Sequence, residues 1–216
     1  MAGHTNLKEH AYLSLLEELL AGKLRPGDIL DRRGVARRLG MSPAPVHEAM
    51  LQLQYEGLLE ALPRRGTLVK PIGREEVRGH LVLREAFERQ ASRLVGNDVW
   101  LSEAERLREL AALVDSATTE DWERARAEVE FHVQLVALAQ CPALTGEYRR
   151  IMRVGLFYRV SMLLPMPARH LRDSHCALVE RLLSAPAEAG EILAEHLWSG
   201  KPEFLSRQSE ANNIHA

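Results

Sequence analysis

The feature that most constrains this chain is a change in the period of its apolar residues near position 58. Before that point apolar residues recur at helical spacing, with glycines that end each segment. After it, two short apolar segments flank Pro63-Arg64-Arg65-Gly66, as the strands of a hairpin do. The predicted elements are helices over residues 6–22, 31–39 and 43–57 and strands near 58–62 and 67–71. This order predicts a winged helix-turn-helix over residues 1–72.

The second and third of these helices carry start signals. Asp31 is a candidate N-cap for the second helix and Ser42 for the third. Pro43 and Pro45 fall in the first turn of the third helix, where a missing N–H costs little. The residues predicted to be buried on the third helix are Val46, Ala49, Met50 and Leu53. The tight turn between the two helices is typical of a DNA-binding pair.

Three segments of this region, GKLRPGDIL, VARRLGMSPAPVHEAM and LQYEGLLEALPRRGTLV, resemble the DNA-binding domain of the GntR family of bacterial transcription regulators. The resemblance covers about residues 8–71 and implies that the third helix enters the major groove. The family usually has arginine directly after the serine and again four residues later, whereas this chain has Pro43 and His47. Because arginine is the commonest reader of guanine, the family's direct-readout pair is missing.

The predicted DNA-binding residues are Arg32, Arg33, Arg37, Arg38, Ser42, Ala44, His47, Arg64, Arg65 and Gly66. His47 is the main candidate within the helix for reading a base, because an imidazole can make one hydrogen bond to guanine. The arginines surround the helix, where phosphates or a minor groove would meet them. The alternative is that they form a solvated surface and that sequence-specific DNA binding has been lost.

The rest of the chain shows no strand pattern. Helices are predicted near residues 74–96, 102–116, 120–140, 143–164, 168–184 and 187–200. Ser102 and Glu105 predict a capping box for the second of these. The connections are short, so neighbouring helices should run antiparallel. Residues 73–216 are therefore predicted to form an antiparallel all-α bundle of six to seven helices, and the fold class is mainly α.

Charge and composition narrow the class of protein. Residues 1–72 have a net charge of +2 and the remainder −4, which suits a DNA-binding head on an acidic body. Cys141 and Cys176 are distant from each other, which fits a reducing cytoplasm better than a disulfide framework. No apolar run reaches the length of a membrane span, so no membrane partner is expected.

One group of polar residues in the helical part has the spacing of a metal site. Glu128 and His132 are four apart on one predicted helix and share a face. His175 and His196 are equidistant from the turn between the last two helices, so an antiparallel pair sets them opposite each other. Imidazole and carboxylate suit Zn, Ni, Mn or Fe, with a position left for water or ligand. The alternative is that these histidines are ordinary core or surface groups.

The segments AEVEFHVQLVALAQCPAL and SHCALVERLLSAPAEAGEILAEH resemble the FCD-type effector domain of the FadR subfamily of GntR regulators. That domain usually binds a divalent metal through Asp, a His four residues later and two further His. The resemblance carries these roles to Glu128, His132, His175 and His196, with zinc favoured. Glu128 stands where the family has Asp; it is one methylene longer, so the metal must shift or its coordination must change.

The resemblance also implies a pocket for a small ligand, often a carboxylate. Arg84 and Glu88, in LREAFERQASRL, match an Arg and a Glu of the domain's first helix. Arg84 is predicted to pair with a ligand carboxylate, and the alternative is an intrahelical pair with Glu88. His80 and Arg159 are further predicted effector-binding residues.

Two functions are compatible with these features. The first is a ligand-responsive regulator, expected to repress transcription as a homodimer on a near-palindromic operator in double-stranded DNA. The second is a metal-dependent hydrolase, which needs a general base beside the metal. Glu130 points away from Glu128 around the helix, and no HExxH motif occurs. The chain is therefore predicted not to be an enzyme and to have no catalytic residues.

Overall fold

The computed structural model describes residues 2–116, 121–160 and 174–199. Its helices are α1 (Ala2–Leu20), α2 (Arg32–Arg38), α3 (Pro43–Tyr55), α4 (Arg74–Leu94), α5 (Asn97–Ser102), α6 (Ala104–Ser116), α7 (Asp121–Ala137), α8 (Pro142–Val160), α9 (His175–Ser184) and α10 (Ala189–Trp198). Its strands are β1 (Ile29–Leu30), β2 (Leu59–Leu62) and β3 (Gly66–Val69). The predicted fold class is confirmed: a mainly α chain with an N-terminal winged helix-turn-helix and a C-terminal helical domain.

The two helices of the predicted DNA-binding pair begin where the sequence indicates. Asp31 caps α2, accepting the backbone N–H of Gly34 at 2.8 Å. Ser42 is the N-cap residue of α3 but makes no side-chain capping bond there, and Pro43 starts the helix. The side chains predicted to be buried on α3, Val46, Ala49, Met50 and Leu53, are all at most 1% exposed.

The wing has one more strand than the sequence predicts. β3 lies between β1 and β2, with Ile29 opposite Leu68 and Leu59 opposite Val69, both pairings antiparallel. β1 has only two residues, too few to show the alternation by which a strand is predicted. Gly66 has a φ of +118°, and a Cβ there would lie 2.8 Å from the carbonyl oxygen of Leu30. Glycine is therefore required where the wing turns past β1.

The region after residue 73 forms seven α-helices in the described ranges, α4 to α10. The predicted capping box at Ser102 is wrong: Ser102 is the last residue of α5, its hydroxyl donates to the Val99 carbonyl, and α6 begins at Ala104. The physical reason is Trp100, which is 1% exposed and anchors a short helix before α6. The predicted helix over 168–184 and the end of the one over 143–164 include residues 161–173, which lie outside the described residues.

Three apolar clusters hold the molecule together. The largest combines α1, α3 and the wing with Val77 and Leu81 of α4 and Phe157 of α8. A second surrounds Trp100 between α5, α6, α7, α9 and α10, and a third surrounds Tyr148 between α4, α7 and α8. The first cluster therefore packs the head directly onto α4 and α8. In the described ranges, every helix falls short of the length or apolar character that crossing a membrane requires.

Candidate nucleic-acid interface and metal centre

A cleft of about 450 Å³ runs between α3 and the wing. Four of the predicted DNA-binding residues line it: Arg32, Arg33, His47 and Gly66. Leu51, Gln54 and Thr67 line the same cleft. Ser42 and Ala44 are exposed on the first turn of α3. The structure thus brings two guanidiniums and one imidazole to one concave surface beside the exposed face of α3.

The other predicted arginines differ in their surroundings. Arg64 and Arg65 are exposed at the tip of the wing, where Arg64 has a φ of +62°. Arg37 is exposed in the last turn of α2. Arg38 instead forms an ion pair with Glu18 of α1, so its charge is offset within the protein. Three of these four guanidiniums, two on the wing and one on α2, are therefore available to a binding partner.

Three histidines converge in the helical domain. His132 comes from α7, His175 from the start of α9 and His196 from α10. One ring nitrogen from each lies within 4.8 Å of the other two. His175 and His196 lie opposite each other, with ring centroids 4.9 Å apart. His132 and His175 are buried and His196 is half-buried, so the three nitrogens meet inside the bundle.

Carboxylates on two other helices face the δ nitrogens of these rings. Glu88 Oε1 of α4 is 3.4 Å from His132 Nδ1, and Asp115 Oδ1 of α6 is 3.4 Å from His175 Nδ1. Asp115 also accepts the backbone N–H groups of His175 at 3.1 Å and Cys176 at 2.9 Å. Burial opposes ionisation of Asp115, but these hydrogen bonds dominate and hold its pKa well below the usual value. Such second partners orient imidazoles so that the ε nitrogens can bind a metal.

The donor set fits a divalent metal ion. His175 Nε2 is buried and has no hydrogen-bond partner among the described residues. Buried polar atoms without partners are rare, and a bound cation is one of the ways in which such an atom is satisfied. Three imidazoles with a position to spare match the borderline-soft first-row metals.

Arg84 lies beside this centre and is already paired. Its side chain is buried, its Nε donates to Glu88 Oε1 at 2.7 Å, and its Nη1 is 3.7 Å from Glu128 Oε1. The Tyr148 hydroxyl donates to the same Glu88 oxygen. Burial disfavours the cation, but the neighbouring carboxylates outweigh it and raise the pKa of Arg84. Glu128 therefore contacts Arg84, and the converging set among the described residues is the three histidines.

His80 lies one turn before Arg84 and is buried against α8. A Cβ at Gly155 would overlap the His80 ring, so the ring lies directly on the α8 backbone. Burial, together with the charge of Arg84, lowers the pKa of His80 to about 3. His80 is therefore neutral near pH 7. The side chain of Arg159, near the end of α8, lies outside the described residues.

Models of two protein families match this chain. The model of the bacterial regulatory proteins of the gntR family matches residues 7–69, and that of the FCD domain matches residues 80–198. The chain belongs to the GntR family. Its combination of a GntR head with an FCD domain fits the FadR subfamily.

Several curated GntR-type regulators are similar to this one. An uncharacterized HTH-type transcriptional regulator, BphR of Paraburkholderia xenovorans, is 26% identical over 212 residues, which cover 92% of this chain and 85% of that protein. A regulator of Mycobacterium tuberculosis, Rv0043c, is 38% identical over 63 residues, 29% of this chain and only 26% of its own length. The HTH-type transcriptional repressor RspR of Escherichia coli is 24% identical over 139 residues, 62% of this chain and 60% of that protein.

Solved structures share the fold of this GntR-family chain. A putative GntR regulator from Rhodococcus sp. RHA1 superimposes with a TM-score of 0.75 at 20% identity, covering 95% of this chain and 98% of that one. McbR/YncC of E. coli gives a TM-score of 0.69 at 21% identity, covering 92% and 97%. At these identities the likeness extends to the fold alone.

Two residues that shape the histidine cluster of this GntR-family chain are not predicted by its sequence pattern. Asp115 is 60 residues from His175 and on another helix, and Tyr148 is 60 residues from Glu88. No periodicity within one helix relates such residues, because they meet only when separate helices pack. The signal that was available is chemical: metal-binding histidines regularly pair with a carboxylate, and Asp115 is an acidic residue near the buried face of α6.

Proposed function

We propose that this GntR-family chain is a transcription repressor whose helical domain binds a divalent metal and a small carboxylate metabolite that changes its affinity for DNA. The observation that carries the proposal is the convergence of His132, His175 and His196 beside the buried Arg84, in a chain that also has a winged head. The assignment as a repressor is supported by similarity to RspR, a protein named as a repressor. Such a regulator acts in the cytoplasm.

The head, residues 1–72, would bind double-stranded DNA through the cleft beside α3. Arg32 and Arg33 would contact phosphates, His47 would read a base, and the wing arginines Arg64 and Arg65 would meet the backbone or a minor groove. Residues 73–216 would form the effector-binding and dimerisation domain. A homodimer would set two heads on a near-palindromic operator. The exposed apolar side chains of Val82, Leu83 and Leu94 on α4 support such an interface.

In the metal centre, the three histidines would hold the ion, with zinc preferred over Ni, Mn or Fe for this donor set. Glu128 is the proposed carboxylate ligand. Its Oε1 is 3.7 Å from Arg84 Nη1, which is a long ion pair. Glu128 would give up this ion pair when it binds the metal. The bound ion would supply a positive charge that polarises a ligand oxygen. Glu88 and Asp115 would keep His132 and His175 in the tautomer that binds through Nε2.

The proposed effector contacts follow from the same geometry. Arg84 is held at 2.7 Å by Glu88 and more loosely by Glu128, so a ligand carboxylate would compete with Glu128 for the guanidinium. His80 is neutral and would offer a hydrogen bond without a charge. Arg159, near the end of α8, is a further proposed contact.

α8 supplies a physical link between this site and the head. Tyr148 of α8 donates to Glu88, which faces His132. Arg153, further along α8, donates to Glu56 at the end of α3 at 3.2 Å. A ligand that favours one position of α8 over another would therefore bias the head as well, which is the requirement for an allosteric switch.

A mobility-shift assay on DNA that flanks the protein's own gene tests the proposal. We expect a shifted complex that weakens when a metabolite from a panel of small carboxylates is added to the zinc-loaded protein. The same preparations should be assayed for hydrolysis of ester, amide and phosphate substrates. Turnover without any DNA complex would overturn the regulator proposal in favour of a metal-dependent hydrolase.

A further inference from the structure

Beside His47, the exposed face of α3 presents apolar side chains at Pro43, Ala44 and Leu51. Pro43 and Ala44 occupy its first turn and are exposed. One turn beyond His47 on the same face, Leu51 has 47% of its side chain exposed. A bidentate contact to guanine needs two donors in a fork, which none of these side chains has. The face therefore lacks the bidentate guanine contact and offers apolar contact next to the single hydrogen bond that His47 can make.

The surroundings of Leu51 distinguish it from an apolar side chain exposed by chance. It lines the cleft of about 450 Å³ between α3 and the wing, together with Arg32, Arg33 and His47. Tyr55, one turn further along α3, is 76% exposed but does not line that cleft. The two arginines outnumber the one carboxylate of the cleft, that of Asp31, which accepts a backbone N–H at the start of α2. The excess positive charge fits a polyanion, so the occupant that matches this cleft is DNA rather than an apolar protein segment. Leu51 then faces base edges from within a phosphate-binding frame.

Thymine is the one base that presents a methyl group in the major groove. We infer that Leu51 selects thymine by packing against its C5 methyl group, and that Leu51 is a specificity-determining residue of this head. The inference rests on DNA binding by the GntR head and adds to it the base that the head prefers. Removing one methyl group from such a contact should weaken binding about fourfold.

The test compares thymine with uracil, which differs from it only by lacking the methyl group. The full-length protein selects binding sites from two randomised duplex libraries, one synthesised with thymidine and one with deoxyuridine. We expect thymine to be enriched at defined positions in the first library and that preference to be lost in the second. Direct titration of the selected site should show the fourfold loss for each methyl group that is removed.

Two variants assign the contact to a residue. Leu51→Ala should bind the thymine and uracil forms of the site equally, because the contact is already absent. Tyr55→Ala, the matched control on the same helix, should keep the full difference between the two forms. A wild-type protein that selects the same motif with the same affinity from both libraries would overturn the inference. So would a Leu51→Ala variant that still distinguishes thymine from uracil. If the wild type enriches no motif from either library, sequence-specific DNA binding itself fails.

Discussion

Glu56, at the C-terminal end of α3, accepts a hydrogen bond from Arg153 of α8, with Oε1 and Nη2 3.2 Å apart. Glu56 is only 5% exposed and also accepts the Tyr12 hydroxyl, at 2.9 Å to Oε2. Burial raises the pKa of Tyr12, and Glu56 raises it further against the opposing charge of Arg153, so the phenol remains a donor. One buried carboxylate therefore joins α1, α3 and the helical domain.

Removing this connection should weaken the packing of the head against α8. We predict that Arg153→Met lowers the free energy of unfolding by about 1–2 kcal/mol, because the buried carboxylate of Glu56 loses one of its donors. The effect stays in this range because the guanidinium is partly exposed to solvent. Urea denaturation of Arg153→Met, Glu56→Gln and the double variant measures the coupling. Arg150→Met is the control, because the Arg150 guanidinium lies over the exposed Tyr55 ring and not at Glu56. It should show no coupling with Glu56→Gln. Strictly additive effects of the two substitutions would show that the pair carries no coupling.

Loss of any one histidine should empty the metal centre. We predict that elemental analysis of the purified wild type finds one divalent metal ion per chain, with zinc preferred. His132→Ala and His196→Ala should each remove it and abolish thermal stabilisation by added zinc. His10→Ala, at an exposed histidine of α1, should keep the ion. Wild-type protein without metal, even after incubation with zinc, would contradict the assignment.

Asp115 should affect the affinity for metal through the orientation of His175. We predict that Asp115→Asn weakens zinc binding about 10- to 100-fold, because an amide orients the imidazole less firmly than a carboxylate does. Competition with a chromophoric chelator gives the affinity, and melting of the metal-free protein separates a loss of fold from a loss of orientation. Asp98→Asn, at an exposed acid of α5, should leave zinc affinity unchanged. Equal zinc affinities for Asp115→Asn and wild type would rule out this role.

The arginines of the head and His47 should differ in what they contribute to DNA binding. Arg33→Ala and Arg65→Ala should weaken binding to all sequences alike and lower the salt dependence by about one ion each. Arg38→Ala should change both DNA affinity and its salt dependence little, because Arg38 is paired with Glu18. His47→Ala should change the preference at one base position. A selected motif identical to the wild type's would exclude His47 as a base reader.

The stability of the protein should fall in mild acid because of His80. Its pKa is lowered to about 3 in the folded protein, while an unfolded chain takes up this proton near pH 6.5. The contribution of neutral His80 to the free energy of unfolding is therefore complete above about pH 6.5 and is lost as the pH falls toward 3. Between pH 6.5 and 5 we expect the free energy of unfolding to fall by about 2 kcal/mol more for the wild type than for His80→Gln. His47→Gln, at an exposed histidine, should follow the wild-type slope.

The sequence predicted elements whose side chains repeat within a single helix or hairpin. The stripe from Val46 to Leu53 is buried as expected, because helical spacing leaves no other face for it. His175 and His196 lie opposite each other because two helices joined by a short turn have a fixed register. In both cases the relevant geometry is local, and the pattern of residues encodes it directly.

Features that depend on packing between distant helices were not predictable in this way. Glu128 shares a face with His132, yet Glu128 contacts Arg84 of another helix. No local pattern in the sequence indicates that Arg84 and Glu128 are close. Ser102 has the spacing of a capping box, but the burial of Trp100 places it inside a preceding helix. Asp115 enters the site only because α6 packs against α9, and Tyr148 only because α8 packs against α4.

The contact between His80 and Gly155 restricts how this chain can change over generations. Any side chain at position 155 would occupy the volume of the His80 ring, so α4 and α8 could approach as they do only with a smaller residue at position 80. A lineage that replaces the glycine must therefore move or lose the imidazole. The two positions, 75 residues apart in the sequence, are therefore sterically coupled.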